Sequence, residues 1–293
     1  MHSWSCTLLE LIRRTSCDLP ADVEQALRRQ MEAEAEGSRA RATLAALLTN
    51  TTLARDRAAP LCQDTGTLTF WWQVPAGADA ASLESAARDA VAEATRRGWL
   101  RRNTLDGLTG RSIDDNVAED NPVCHFEQSG RSDTVVWLLQ KGGGCENVSR
   151  QYSLPDDTIG ANRDLDGVRK CVLTAIWQAQ GHGCAPGIIG VCVGGDRATG
   201  YEVAKQQLLR PLSDRASESD LAVLEERILA EGNELGIGPM GLAGRTTVLG
   251  VKLASRPRVP ASFFVTVAYG CWACRRRGVR VQAADGKVIE WLG

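Results

Sequence analysis

The chain has 293 residues, 34 basic against 36 acidic side chains, and a formal net charge of −2. This balance gives no electrostatic reason to expect a nucleic acid or a membrane surface as partner. The length suits one large domain or two lobes, and no apolar run approaches the roughly 20 residues of a membrane span. Because Met1–Cys6 also lacks the pattern of a signal peptide, a cytoplasmic location is predicted.

The 10 cysteines are the most informative part of the composition. Cytoplasmic chains seldom carry a disulfide framework, so each cysteine is either a small buried side chain or a thiol that binds metal or reacts. Zinc is a rival metal, since Cys271 and Cys274 have the spacing of one zinc-binding pair, but a second pair is missing. Four of the cysteines are interpreted as buried free thiols: Cys6, Cys17, Cys171 and Cys192.

Hydrophobic spacing and breaking residues predict helices and strands in irregular alternation. The predicted helices are two between Asp18 and Arg57, broken at Gly37-Ser38, and then Ala78–Arg97, Asp166–Gln180, Ala198–Leu209 and Ser217–Gly232. The predicted strands are Thr67–Val74, Thr134–Leu139, Ile188–Gly195, Thr246–Leu253, Ser262–Ala268, Val279–Gln282 and a last short one after Gly286. This order predicts an α+β fold with mixed β-sheets packed with helices, read as one functional domain over residues 1–293.

Two polar segments are suited to binding an anion. Arg101 and Arg102 follow a helix that ends at Gly98, and they could fork onto a carboxylate or simply line a solvated basic loop. Lys141 precedes the three glycines Gly142–Gly144, which indicate close approach of the backbone to a ligand. Their spacing fits neither the P-loop nor the dinucleotide fingerprint, so a carboxylate is favoured over a phosphate nest.

Three cysteines lie in loops rich in turn-forming residues: Cys62 in PLCQDTGT, Cys184 in GHGCAPG and Cys271 in YGCWAC. Our hypothesis is that these loops, from distant parts of the chain, bring three thiolates to one iron–sulfur cluster. One iron would then lack a protein ligand and could bind substrate as a Lewis acid. The alternatives are that all three are buried free cysteines, or that Cys274 replaces Cys271 as third ligand.

Several motifs together resemble the alpha subunit of the iron–sulfur class I fumarases and L-tartrate dehydratases. They occur in family order along nearly the whole chain, and jointly they are specific. The motifs are PLCQDTGT at Pro60–Thr67, KGGGCEN at Lys141–Asn147, GCAPGIIGVCVGG at Gly183–Gly195, LGIGPMGLAG ending at Gly244, and GCWACRR at Gly270–Arg276.

The resemblance implies a [4Fe-4S] hydro-lyase that adds water to, or removes it from, a small dicarboxylate of the fumarate, malate or tartrate type. Cys62, Cys184 and Cys271 correspond to the family's cluster ligands. The implied substrate contacts are Gln63 and Asp64 beside the cluster, Arg101 on a carboxylate, and the segment Lys141, Gly142, Gly143 and Gly144.

The resemblance also implies a partner. The family's catalytic base belongs to a swivelling C-terminal domain or beta subunit, which implies a beta-type partner and an αβ hetero-oligomer. One loop departs from the family, whose members read close to Asn-Thr-Gly-Asp-Asn where this chain has Asn116–Asp120 before Pro122. The alternative function is therefore a diverged, non-catalytic cluster-binding subunit that binds a partner or senses iron or oxygen.

Overall fold

A computed structural model describes residues 4–293 of the chain. Residues 1–3, part of the N-terminal stretch considered above, lie outside it. The helices are α1 (Trp4–Cys17), α2 (Ala21–Ala33), α3 (Arg39–Arg57), α4 (Ala80–Arg96), α5 (Gly143–Val148), α6 (Leu165–Ala179), α7 (Arg197–Gln207) and α8 (Ser219–Glu234). The strands are β1 (Thr67–Pro75), β2 (Val123–Ser129), β3 (Asp133–Lys141), β4 (Arg150–Ser153), β5 (Gly187–Gly194), β6 (Val248–Arg256), β7 (Phe264–Gly270), β8 (Arg275–Gln282) and β9 (Val288–Leu292).

The chain forms two compact units, each assembled from separate segments. Unit 1 holds the described residues up to Ala21 together with Thr49–Gly143 and Arg275–Gly293. Unit 2 holds Asp22–Leu48 and Gly144–Cys274. Within residues 4–293, no helix combines the length and apolar character needed to cross a membrane.

Unit 1 is built on a five-stranded sheet in the order β2-β1-β3-β8-β9. β1 runs parallel to β2 and antiparallel to β3, and β8 is antiparallel to both its neighbours, so the sheet is mixed. α1 packs against α4, β3 and β8. The core between them consists of apolar side chains that include Leu8, Leu11, Phe70, Trp72, Leu83, Val91, Val136 and Val279.

The sequence of α4 forms a helix because it has a capping residue at its start and apolar residues at helical spacing. The Asp79 side chain caps its first turn by accepting hydrogen bonds from the Ser82 backbone N–H (3.2 Å) and hydroxyl (2.6 Å). Leu83, Ala87 and Val91 recur every four residues and are buried, which places one apolar face on the core. The segment after the helix then leads to Arg101.

Unit 2 is built on a four-stranded sheet in the order β4-β7-β5-β6, with β5 parallel to β6 and antiparallel to β7. Successive side chains of β5 point to opposite faces of the sheet, and both faces are buried. Ile189 and Val191 lie in a core shared with α6 and α8. Gly190 belongs to the opposite face, where it lies against the Ala204 carbonyl of α7.

The predicted α+β class with mixed sheets is confirmed. α1, β2 and β4 had no counterpart in the predictions, and β8 begins at Arg275, four residues before the predicted Val279. The early start is unexpected because Arg275 and Arg276 are both buried in the strand. Gly143 and Gly144 open the short helix α5 instead of forming a loop.

Candidate functional site

The Cys62 loop (Pro60–Thr67) belongs to unit 1 and is fixed at both ends. At its start, the Leu61 N–H donates to the Ser16 carbonyl at 2.9 Å. Near its end, Gly66 has a φ of 76° and lies so close to β3 that a Cβ would stand 2.5 Å from the Lys141 carbonyl oxygen. Only glycine fits this approach without displacing backbone. Between these anchors Cys62 is half-buried, and Gln63 is exposed.

Asp64 is the best-held side chain of the Cys62 loop. Its Oδ1 accepts from the Gly66 N–H at 3.0 Å, and its Oδ2 accepts from the Gly143 N–H at 2.8 Å. Its backbone carbonyl accepts a hydrogen bond from the guanidinium of Arg275, which is 2% exposed. A Cβ at Gly142 would stand 3.0 Å from Asp64 Oδ2. The structure therefore brings Asp64, Gly142 and Gly143 together.

Arg101 joins this group through its backbone. Its N–H donates to Thr65 Oγ1 at 3.2 Å, while its side chain is exposed. Two residues later, Asn103 Nδ2 donates to the Gln63 carbonyl at 3.3 Å and lies 3.5 Å from Asp64 Oδ1. The guanidinium of Arg101 thus projects from a segment that is hydrogen-bonded directly to the Cys62 loop.

A polar cavity of about 470 Å³ opens where these segments meet. Asp64 and Gly143, two of the proposed substrate contacts, line it, but most of its other polar lining comes from residues that the sequence did not single out. Lys141 does not line it and is 4% exposed at the end of β3. The lining residues are Asp64, Gly66, Thr67, Asn103, Thr104, Leu105, Asn121 and Gly143.

The Cys184 loop (Gly181–Gly187) belongs to unit 2 and is held mainly by packing. The ring of Tyr269 occupies the space beside two of its glycines: a Cβ at Gly183 would stand 2.4 Å from the ring, and one at Gly187 would stand 2.6 Å from it. Burial raises the pKa of Tyr269, and the nearby cysteine thiols add to the shift. Cys184 itself has a φ of 52°, which is rare outside glycine.

Other motifs of unit 2 meet at the same loop. The Trp272 N–H donates to the Cys184 carbonyl at 3.3 Å, which joins the second and third cysteine loops directly. The Met240 N–H donates to the Ala185 carbonyl at 2.8 Å, and Cys145 Sγ lies 3.8 Å from the Gly183 carbonyl oxygen as a weak donor. Gly144, the last of the three glycines, also lies at this loop, because a Cβ there would stand 3.6 Å from the His182 carbonyl oxygen.

Comparison with known proteins shows the family of the chain. Residues 6–280 match the model of the family described as fumarate hydratase (Fumerase). The chain belongs to this family. It is 47% identical over 289 residues to a protein of Geobacillus stearothermophilus provisionally named class I fumarate hydratase, with 98% of this chain covered. It covers 56% of that relative, so the chain spans just over half of the relative's length.

Two further relatives of this family are close to the chain in length. A protein of Methanocaldococcus jannaschii, provisionally named L(+)-tartrate dehydratase subunit alpha, is 31% identical, with 95% of this chain and 97% of the relative covered. The L(+)-tartrate dehydratase subunit alpha of Escherichia coli is 30% identical, with 92% of this chain and 87% of the relative covered. The family expected from the motifs is therefore confirmed.

The cysteines differ in how well they suit an iron–sulfur cluster. Cys62, Cys184 and Cys271 are half-buried on loops, whereas Cys274 is buried. Burial raises the pKa of Cys171 to about 12 and that of Cys192 to about 11, which disfavours the thiolate that binds metal. Burial also raises the pKa of Cys17 to about 11, but Cys6 is exposed, so its prediction as a buried thiol is wrong.

Partly exposed thiols on loops are the kind of donor that the cluster implied by the resemblance needs. Cys62 belongs to unit 1, and Cys184 and Cys271 belong to unit 2, so a common cluster stays a prediction. In the described part of the chain, no three or more His, Cys, Asp or Glu residues form a group that could hold a metal ion.

Proposed function

We propose that this chain is the alpha subunit of a [4Fe-4S] hydro-lyase that adds water to, or removes it from, a small dicarboxylate of the fumarate, malate or tartrate type. The observation that carries the proposal is the convergence of Asp64 and Gly143 on one polar cavity. Two motifs far apart in sequence thereby meet at a site large enough for a small polar ligand. The names of the relatives, fumarate hydratase and tartrate dehydratase, both denote hydro-lyases.

Cys62, Cys184 and Cys271 would hold the cluster, with Cys271 preferred to Cys274 because Cys274 is buried. When bound, the cluster supplies a Lewis-acidic iron that polarises a substrate hydroxyl. The remaining contributions come from side chains and backbone of this chain. They would bind and orient the dicarboxylate, and the hydrogen bonds of Asp64 support this role.

Asp64 is held for this work because both carboxylate oxygens accept backbone N–H groups, from Gly66 and Gly143. A side chain fixed in this way needs little reorganisation when substrate binds. The exposed guanidinium of Arg101 has the planar fork that pairs with a substrate carboxylate. Gln63 and the Lys141–Gly144 segment complete the proposed substrate contacts.

We propose that a second polypeptide takes part in turnover. We propose a beta-type swivelling partner that brings the base for the C–H proton, which gives an αβ hetero-oligomer. The word alpha in the names of two relatives supports a second subunit. A cytoplasmic location and one functional domain over residues 1–293 also stay predictions.

Anaerobic reconstitution with iron and sulfide tests the cofactor. We expect a broad absorption band in the blue part of the visible spectrum, which Cys62→Ser, Cys184→Ser and Cys271→Ser each abolish. Cys6→Ser, at an exposed site, and Cys274→Ser are matched controls that should keep the band. A band that survives the triple substitution, or that Cys274→Ser removes, contradicts this ligand set.

Turnover tests the reaction. The chain would be co-purified anaerobically with a beta-type partner, and fumarate, malate, tartrate and mesaconate would be followed separately. Consumption of any one of them supports the hydro-lyase. A cluster-loaded complex that turns over none of the four points to the alternative, a non-catalytic cluster-binding subunit.

A further inference from the structure

Asn116 lies behind the polar cavity of unit 1 and not in its lining. It is 2% exposed and adopts a φ of 61°, in the left-handed region where asparagine is tolerated better than most residues. Its amide makes four hydrogen bonds. Oδ1 accepts from the Asn103 N–H (3.0 Å) and the Thr104 N–H (2.9 Å), and Nδ2 donates to Thr95 Oγ1 (3.0 Å) and the Arg101 carbonyl (2.7 Å).

These four bonds use the full capacity of an asparagine amide, which has two donor hydrogens and two acceptor lone pairs. One bond ties the amide to a rigid support, because Thr95 belongs to α4 and its hydroxyl donates to the Val91 carbonyl of the same helix at 2.8 Å. The other three bonds go to the backbone of the segment Arg101–Thr104. Asn116 therefore couples that segment to the helix.

The same segment faces the cavity on its other side. Asn103 and Thr104 line the cavity, and the Asn103 amide reaches the Gln63 carbonyl of the Cys62 loop. A second amide braces the arrangement, since Asn121 Nδ2 donates to Thr104 Oγ1 at 3.1 Å and to the Asn116 carbonyl at 2.6 Å. The placement of the Arg101 side chain depends on this segment, since its own backbone is one of the bonded groups.

We propose that Asn116 is a positioning residue for the substrate site. It fixes the segment Arg101–Thr104 so that, before substrate binds, the Asn103 amide stands beside Asp64 and the Arg101 side chain projects from an ordered backbone. It does not touch substrate, because it is buried and its amide is fully used by the four hydrogen bonds. This role rests on the proposed hydro-lyase function, and it adds a residue whose effect is exerted through others.

The main variant is Asn116→Gly, which keeps the left-handed backbone accessible and removes all four hydrogen bonds. Deuterium exchange followed by mass spectrometry would report the amides of the segment Arg101–Thr104. We expect the exchange of the Thr104 amide to rise by about tenfold or more, since it loses its acceptor, and that of Asn103 to rise less, since it also donates to the Arg101 carbonyl at 2.9 Å. With the cluster-loaded complex, we expect KM for the dicarboxylate to rise between about 10- and 100-fold, with a smaller change in kcat.

A matched control lies in the same loop. Asp120 has a φ of 56° and an exposed side chain, so Asp120→Gly adds the same backbone freedom without removing the buried amide. It should leave both KM and the exchange of the segment unchanged. If Asn116→Gly fails to fold, Thr95→Val is the substitute, because it keeps the side-chain shape and removes one of the four bonds. Thr95→Val should raise the amide exchange of the segment and KM less than Asn116→Gly, which removes all four bonds.

The outcomes separate this inference from the function on which it rests. Unchanged exchange of the segment in Asn116→Gly overturns the positioning role, as does raised exchange with unchanged KM and kcat. Equal effects of Asn116→Gly and Asp120→Gly also overturn it, because they would trace to backbone freedom alone. If the wild-type complex turns over no dicarboxylate, the proposed function fails and the exchange measurement alone decides whether Asn116 orders the segment.

Discussion

The Cys62 loop and the Cys184 loop are held by different kinds of contact. The Cys62 loop is fixed by polar side chains, above all Asp64, whose carboxylate and carbonyl accept hydrogen bonds from Gly66, Gly143 and Arg275. The Cys184 loop is fixed by an aromatic ring pressed against its glycines and by backbone bonds to neighbouring loops. The first arrangement leaves polar groups facing a cavity, whereas the second holds Cys184 among glycines packed on an aromatic ring.

This difference indicates a division of labour. A loop held by polar side chains can orient a substrate, because the same groups that fix the loop also line the cavity. A loop held by packing offers a rigid position for a metal ligand and few groups for a substrate. Substitutions in the two loops should therefore have separable effects on turnover and on cluster content.

The largest expected effect is that of Asp64→Ala in the Cys62 loop. We expect kcat/KM for the dicarboxylate to fall by about 10³-fold, in the range seen when a positioned acid–base or electrostatic group is removed. The iron and sulfide content per chain should stay the same. The control is Glu119→Ala, at an exposed carboxylate of unit 1, which should change neither. Loss of the cluster in Asp64→Ala would remove the proposed separation of roles.

The next effect concerns the tightly packed glycine of each loop. Gly183→Ala and Gly66→Ala should each lower the free energy of unfolding by about 3 kcal/mol, because each adds a methyl group where no space exists. The obstacle at Gly183 is the Tyr269 side chain, whereas the obstacle at Gly66 is the backbone of Lys141 and Gly142.

A double-mutant cycle distinguishes these two obstacles. Tyr269→Leu should relieve Gly183→Ala, with a favourable coupling of about 1 kcal/mol or more, and should give no coupling with Gly66→Ala. Chemical denaturation of wild type, the three single variants and the two double variants provides the measurement. Equal coupling at both glycines would show that the ring does not determine the fit at Gly183.

A smaller effect is expected for Arg101→Ala. Loss of one charge-assisted contact, worth about 2 kcal/mol, should raise KM for the dicarboxylate about 30-fold and leave kcat nearly unchanged. Initial-rate kinetics with the cluster-loaded complex would show it. If kcat falls and KM does not, Arg101 acts in the transition state and not in holding a remote carboxylate.

The smallest effect is expected one residue further on. Arg102 pairs with Asp114 at 3.3 Å, but both side chains are mostly exposed, at 67% and 81%. Exposed pairs of this kind contribute about 0.5 kcal/mol or less. Arg102→Ala should therefore leave KM, kcat and the unfolding free energy almost unchanged, which makes it the matched control for Arg101→Ala. A rise in KM as large as that of Arg101→Ala would mean that the two arginines share the site.

Much of the fold could be predicted because periodic patterns dominate it. β1 follows its run of β-prone residues, α4 follows its apolar spacing, and the cap at Asp79 fits the predicted start of the helix. α1 escaped prediction although Leu8, Leu11 and Ile12 recur at helical spacing and are buried. The start of β8 could not be predicted, because an arginine pair such as Arg275-Arg276 ordinarily indicates an exposed segment and here is buried.

The site could be predicted only where the motifs mark it. Asp64 and Gly143 stand in two motifs, and the structure places them in hydrogen-bonding contact. Asn103, Asn116 and Asn121 lie in a polar loop whose composition matches an ordinary solvated connection. What distinguishes them is the bonding of their side-chain amides across the loop, and bonds of that kind leave no periodic pattern in a sequence.

The strand order of unit 1 also has a consequence for how the protein is made. β8 lies between β3 and β9 in the sheet, yet its residues are synthesised after all of Gly144–Cys274. Until they emerge from the ribosome, β3 presents an unpaired edge of the kind that invites association with other chains. Until then, the Asp64 carbonyl also lacks the hydrogen bond that Arg275 donates to it. A segment translated after all of Gly144–Cys274 therefore both closes the sheet and completes the support of the Cys62 loop.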